Sequence, residues 1–147
     1  MDRIGIYGAG AELLCRRLQQ AGVLAQAADS RAQAMQWELL LLTEARPLPG
    51  TWVCRTLLLP EGAPVPCGTQ QLISYGLSAK NSITLSSMEP QQELLCVQRA
   101  LLRPDGSWVE PCDRPLAFPQ LSTMQRLGLT GLLLLLEVSP EAEGELC

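Results

Sequence analysis

Four consecutive leucines, Leu39 to Leu42, constrain the fold of this chain more than any other feature of its sequence. Polar residues stand at both ends of the run, Glu38 before it and Thr43 after it. A continuous apolar run between polar flanks is typical of a strand that other elements cover on both faces. We therefore expect residues 38–43 to form a central strand of a mostly parallel sheet.

The N-terminal residues predict a strand, a tight turn, a helix and a second strand in succession. Residues 3–7 are mostly apolar, and the turn at Gly8-Ala9-Gly10 contains two glycines, which tolerate the backbone angles that such turns need. Residues 11–20 carry leucines at helical spacing, and Gly22 follows where a helix usually ends. Residues 23–28 are the candidate second strand.

The remainder of the chain predicts a short helix over residues 31–37, then several strands and a last helix. Four further strands are expected at residues 52–59, 71–75, 82–87 and 93–102. A Pro-Asp-Gly-Ser turn predicts a β-hairpin over residues 93–110. Residues 120–136 predict the last helix, with Ser122 or Thr123 near its start.

The composition argues against several classes of protein. The 147 residues fit one domain, 1–147, and a change of character near residue 70 is the one candidate boundary. A net charge of −4 and a single lysine are atypical of a protein that binds nucleic acid. The most apolar stretch, residues 127–138, is shorter than the ~20 residues of a membrane-spanning helix, so we expect no membrane association.

Six cysteines and no histidine bear on metal binding and redox state. No two cysteines have the C-x-x-C spacing that structural zinc sites usually use, so we expect no metal. Residues 1–9 lack the charged and apolar regions of a signal peptide, which favours a cytoplasmic protein with reduced thiols. We interpret Cys15 as a buried structural cysteine, and the alternative is a thiol activated near the start of the first predicted helix.

The order strand, Gly8-Ala9-Gly10, helix, strand and Asp29 resembles the βαβ unit that opens NAD- or FAD-dependent Rossmann proteins, over residues 3–31. The resemblance implies that Gly8 and Gly10 let a pyrophosphate approach the backbone, and that Asp29 binds ribose hydroxyls. The sequence departs from the G-x-G-x-x-G/A fingerprint at Leu13, and Glu12 adds negative charge beside the phosphate position. We therefore expect the glycine turn to be architectural.

The segment Ile73 to Thr84, with the sequence ISYGLSAKNSIT, resembles the late part of the central domain of Mur ligases. The resemblance covers about residues 70–136 and implies a strand that ends in an aromatic-Gly-Leu turn, then a short strand, a hairpin and a helix. Because ligands bind at the carboxyl ends of strands in open α/β sheets, Tyr75 and Gly76, with Ser86 and Ser87, are candidates to line a ligand cleft. The alternative is that these residues only form turns and a solvent-exposed face. The phosphate loop of that family is missing, since Lys80 lies outside any glycine-rich loop.

These observations predict an α/β fold with a Rossmann-like, mostly parallel sheet, continued by short strands and a β-hairpin and completed by a C-terminal helix. The predicted function is non-catalytic binding of a protein partner or a small ligand, without a cofactor. The alternative is a nucleotide-dependent enzyme or accessory subunit that uses the turn from Gly8 to Gly10, with NAD or ATP as the cofactor.

Overall fold

The computed structural model describes residues 3–29, 35–47, 52–64, 69–89 and 92–136. In chain order, the elements within these ranges are β1 (Ile4–Tyr7), α1 (Ala11–Gln20), β2 (Gln26–Ala27), β3 (Gln36–Leu42), β4 (Val53–Pro60), β5 (Thr69–Tyr75), β6 (Ile83–Glu89), β7 (Gln92–Val97), β8 (Leu101–Leu102), β9 (Trp108–Val109), β10 (Cys112–Pro115) and α2 (Thr123–Leu136).

Eight of these strands form one sheet in the order β10-β7-β6-β5-β4-β3-β1-β2. The neighbouring strands from β2 to β6 in this order pair in parallel, whereas β7 is antiparallel to both β6 and β10. Strands β8 and β9 form a separate antiparallel pair. The predicted α/β fold with a mostly parallel sheet and a C-terminal helix is therefore confirmed.

The leucine runs of β3 and β4 are buried on both faces of the sheet, which for β3 is what the sequence predicts. Side chains of consecutive strand residues point to opposite faces, so each run contributes to two separate cores. Leu39, Leu41 and Leu58 belong to the first core. The second core contains the intervening leucines and two tryptophans: Trp37, Leu40, Leu42, Trp52, Leu57 and Leu59.

Both helices pack in the first core. Helix α1 contributes Leu14 and Leu18, and α2 contributes a series of leucines that begins at Leu127. Two glycines let α2 approach the sheet closely, because a Cβ on Gly131 would lie 2.8 Å from the Ile83 Cδ1 atom and one on Gly128 would also meet sheet side chains. The glycines that lower helix propensity in α2 therefore serve its packing on the strands. No described helix is long and apolar enough to cross a membrane.

A reciprocal cap defines the start of α2. The Ser122 hydroxyl accepts a hydrogen bond from the Gln125 backbone N–H at 3.2 Å, and the Gln125 side-chain oxygen accepts one from the Ser122 N–H at 3.1 Å. This is a capping box, which satisfies backbone donors that a helix start otherwise leaves unpaired. The prediction that the last helix begins near this serine is confirmed.

Two sequence predictions of local structure are wrong in part. The strand expected over residues 93–102 ends at Val97, and the side-chain amide of the next residue, Gln98, donates hydrogen bonds to the carbonyl oxygens of Ala79 and Asn81 in the loop after β5. The observed hairpin is correspondingly short and joins β8 to β9. Of the helix expected over residues 31–37, residues 31–34 lie outside the described chain, and the last two residues are part of β3.

Trp37 explains why a glycine occupies position 5 in β1. The indole lies over Gly5, and a Cβ built there would be 2.5 Å from the Trp37 Cζ3 atom. Both residues are buried, and a rigid ring cannot yield as a flexible side chain can. We expect Gly5→Ala to lower the free energy of unfolding by about 1–3 kcal/mol through overpacking, as measured by urea denaturation.

The control for this prediction is the same substitution in a Trp37→Leu background, where the smaller side chain leaves room for the new methyl group. The loss caused by Gly5→Ala should be clearly smaller there. An equal loss in both backgrounds would show that the indole is not the cause.

Candidate functional site

The strand order creates a topological switch point at β1. The chain leaves β1 on one side to form β2, and it returns on the other side to form β3. In open α/β sheets such a point opens a crevice at the carboxyl ends of the strands, where ligands commonly bind. The strand order differs from that of dinucleotide-binding sheets, which is 3-2-1-4-5-6. In that order strand 4 lies beside strand 1, whereas in this protein β3 lies beside β1.

The glycine turn between β1 and α1 has the geometry that the sequence predicts. Gly8 and Gly10 have φ angles of 125° and 79°, which residues other than glycine rarely adopt. The Ala11 N–H donates to the Gly8 carbonyl at 3.2 Å, and Gly10 is the residue that precedes α1. A Cβ on Gly8 would also collide with the Thr43 hydroxyl at the end of β3.

A carboxylate of the chain itself occupies this turn. The Ala9 backbone N–H donates a hydrogen bond of 2.7 Å to the Glu44 Oε2 atom. The other carboxylate oxygen, Oε1, lies 3.3 Å from the Arg46 Nε atom. Backbone N–H groups at the start of a helix are the groups that bind a pyrophosphate in dinucleotide-binding proteins. Glu44 therefore supplies the negative charge that a phosphate would supply there.

A cavity of about 500 Å³ lies beside this carboxylate, and we call it the switch-point cavity. Its lining residues are Tyr7, Gly8, Ala28, Asp29, Leu42, Glu44, Arg46 and Pro47. Of the three residues predicted to bind a cofactor, Gly8 and Asp29 are brought together here, whereas Gly10 faces the Gln125 side chain of α2. The charged groups of the lining are the carboxylates of Asp29 and Glu44 and the guanidinium of Arg46.

Two of the candidates to line a ligand cleft, Tyr75 and Gly76, both make contacts within the protein. Tyr75 is 3% exposed, and its hydroxyl donates a hydrogen bond of 2.6 Å to the Leu42 carbonyl oxygen. Gly76 is buried against Glu61, and a Cβ built on it would lie 2.6 Å from the Glu61 Oε1 atom. Tyr75 thus connects the ends of β5 and β3 across the intervening strand β4.

Glu61 fixes the loop that follows Gly76. Its Oε1 atom accepts hydrogen bonds from the Asn81 side-chain amide at 2.9 Å and from the Ser78 N–H at 3.1 Å. These donors, the Asn81 amide most strongly, lower the pKa of the Glu61 carboxyl. The sequence suggests no such role, because a single acid after a strand is usually a solvated surface group.

The described cysteines Cys15, Cys54, Cys96 and Cys112 are free thiols. Burial raises the pKa of Cys15, Cys54 and Cys96, and at Cys15 the nearby Glu12 carboxylate adds to the effect. Cys15 therefore behaves as a structural cysteine. Among the described residues, no group of three or more potential ligands is placed to hold a metal ion.

No family model, curated protein or solved structure matches the chain.

The hydrogen bond of Tyr75 has a measurable effect on stability. Tyr75→Phe leaves the buried Leu42 carbonyl without its donor, so we expect the free energy of unfolding to fall by about 1–2 kcal/mol. Tyr7→Phe is the matched control, since that ring is half-buried in the switch-point cavity and packs edge-on against Trp52. A similar loss in both variants would argue against a special role of the Tyr75 hydroxyl.

The same tyrosine makes stability depend on alkaline pH. Burial raises the pKa of Tyr75 far above its ordinary value of about 10, so the phenol ionises more readily in the unfolded chain than in the folded one. Its contribution to stability is complete below about pH 10 and declines as the pH rises further. The wild-type protein should therefore lose stability more steeply than Tyr75→Phe in urea denaturation between about pH 10 and 12. Parallel pH profiles would contradict this assignment.

Proposed function

We propose that this protein is a non-catalytic α/β binding domain of the cytoplasm that holds a small neutral or cationic ligand in the switch-point cavity. In this proposal its likenesses to Rossmann-type and Mur ligase domains are those of a reduced relative that has lost phosphate binding. The observation that carries the proposal is the 2.7 Å hydrogen bond between the Ala9 N–H and the Glu44 carboxylate.

That hydrogen bond works against a pyrophosphate at the glycine turn. A bound phosphate would have to displace the Glu44 carboxylate from the Ala9 N–H or lie beside it. Like charges about 4 Å apart near a protein surface repel one another by about 4 kcal/mol. Glu12 places a further negative charge in the first turn of α1, which follows the glycine turn.

The lining of the switch-point cavity supports a neutral or cationic ligand. Two carboxylates, Asp29 and Glu44, and one guanidinium, Arg46, give it a net charge of −1. Its volume lies within the range of small-molecule sites, which is roughly 300–1,000 Å³. Tyr7 and Leu42 supply apolar surface, and the carboxylates can accept hydrogen bonds from hydroxyl or amino groups.

Several features of the chain support binding without catalysis. The sequence contains no histidine, the most common general base. The thiols of Cys15, Cys54 and Cys96 are held in the protonated form by burial, and the single lysine does not line the switch-point cavity. The Glu44 carboxylate of the cavity accepts a hydrogen bond from the Ala9 N–H and lies beside Arg46.

One observation favours the alternative of a nucleotide-dependent function. Gly8 and Asp29, which the Rossmann likeness assigns to the pyrophosphate and the ribose, line the same cavity. A nucleotide would fit this arrangement if its phosphate displaced the Glu44 side chain from the turn. NAD or ATP would then be the cofactor of an enzyme or of an accessory subunit.

A thermal-shift titration distinguishes these functions. We expect adenosine as a neutral probe and agmatine as a cationic probe to stabilise the wild-type protein, and NAD, FAD and ATP with magnesium to have no saturable effect at about millimolar concentration. Glu44→Ala should bind ATP at least about tenfold better than wild type, because it removes the repulsion and frees the Ala9 N–H.

The matched control is Glu38→Ala, which removes another carboxylate of the same strand region that also pairs with an arginine, at 3.0 Å. This variant should bind ATP no better than wild type. A saturable rise in melting temperature of the wild-type protein with NAD or ATP, abolished by Gly10→Glu, would overturn the proposal in favour of the nucleotide-dependent alternative.

A further inference from the structure

A second cavity, of about 310 Å³, lies at the carboxyl ends of β4 and β5, and we call it the Lys80 cavity. It shares no lining residue with the switch-point cavity. Leu59 and Leu72 form part of its wall, and Leu59 belongs to the second core, so the cavity borders that core and not the one in which the helices pack. Its volume is at the lower end of the range for small-ligand sites, roughly 300–1,000 Å³.

Two cations line this cavity, Lys80 and Arg99, and within the described residues neither forms a close ion pair. Lys80 is the only lysine of the chain, and its charge contributes to lowering the pKa of the Glu61 carboxyl. The Arg99 Nη2 atom donates a hydrogen bond of 3.2 Å to the Lys80 carbonyl oxygen, which holds the guanidinium on the same loop as the ammonium. Other arginines of the described chain, Arg46, Arg55 and Arg126, do form ion pairs.

Two serines also line the cavity, Ser74 and Ser82. The Ser82 backbone N–H donates to the Ser74 hydroxyl oxygen at 3.1 Å, which leaves the Ser74 proton available to donate. Serine hydroxyls on a cavity wall can donate hydrogen bonds to an acceptor on a ligand.

The one carboxylate of the cavity is already engaged in holding the loop. Glu61 accepts hydrogen bonds from Ser78 and Asn81, which keep it ionised and fixed in place. Two cations and this one carboxylate leave the lining with a net charge of +1, within a chain of net charge −4. The Gln98 side chain binds two further carbonyls of the loop, so the cationic groups are attached to a rigid backbone.

We propose that the Lys80 cavity binds the carboxylate or phosphate group of a small organic anion. Lys80 and Arg99 neutralise the oxyanion, and the hydroxyls of Ser74 and Ser82 donate hydrogen bonds to its oxygen atoms. The apolar part of the ligand lies along the wall that includes Leu72. This site is separate from the switch-point cavity. Its positive charge favours anions, whereas the negative switch-point cavity favours neutral or cationic ligands.

The single lysine provides a specific reporter for this proposal. Protein labelled with ¹³C and ¹⁵N in lysine alone gives NMR signals from Lys80 only. Phenyl phosphate and benzoate, added at constant ionic strength, distinguish a phosphate from a carboxylate ligand, and inorganic phosphate measures the contribution of the apolar wall. We expect saturable shifts of the Lys80 signals with phenyl phosphate or benzoate at about millimolar concentration, and weaker binding of inorganic phosphate.

Two variants test the assigned contacts. Arg99→Gln and Ser82→Ala should each weaken binding of the preferred probe, by about tenfold for the arginine. Arg55→Gln is the matched control, because Arg55 is an exposed arginine on β4 that pairs with Glu38 and does not line the cavity. Melting temperatures report whether each variant is folded.

The absence of a saturable Lys80 shift with both organic anions up to about 20 mM would overturn the proposal. Equal affinity in wild type, Arg99→Gln and Ser82→Ala would also overturn it, because binding would then not involve the Lys80 cavity. Glu44→Ala should leave these titrations unchanged, so failure of one site is distinguishable from failure of the other.

Discussion

Burial of the central strands on both faces is the constraint on which the rest of this structure depends. The leucines of β3 and β4 alternate between two cores, so these strands are stable only in the middle of a sheet. Parallel pairing on either side then brings the carboxyl ends of β1, β3, β4 and β5 to one edge. The glycine turn, Glu44, Glu61 and Tyr75 all lie near that edge because the core places them there.

The side chains at this edge give two cavities of opposite charge. The Glu44 carboxylate binds the glycine turn after β1, and together with Asp29 it makes the switch-point cavity negative. Lys80 and Arg99, on the loop after β5 and the segment after β7, make the other cavity positive. The sheet places both cavities at the carboxyl ends of its parallel strands, and in our proposal their opposite charges select different ligands. Small changes in a few side chains can redirect the specificity of such a sheet without altering its core.

Local patterns in the sequence predicted the elements best. Helix α1 and the strands of the leucine runs follow from apolar spacing and glycine signals over a few residues. The strand over residues 93–102 was predicted too long, and the residue after its observed end, Gln98, binds a loop that is distant in sequence. The Glu44–Ala9 contact joins residues 35 positions apart and depends on which strands are neighbours, so no local pattern reveals it. The same holds for Tyr75, whose partner lies two strands away.

The central claim is that the Glu44 carboxylate occupies the glycine turn. Hydrogen exchange at the Ala9 amide tests this claim most directly. Ala9 is exposed, and the Glu44 carboxylate is the acceptor of its N–H, so that side chain is what slows exchange there. Exchange measured by NMR should be markedly faster in Glu44→Ala than in wild type, while the Ala11 amide, which donates to the Gly8 carbonyl, stays protected in both. Equal exchange rates at Ala9 in the two proteins would contradict the account and leave the turn open to a phosphate.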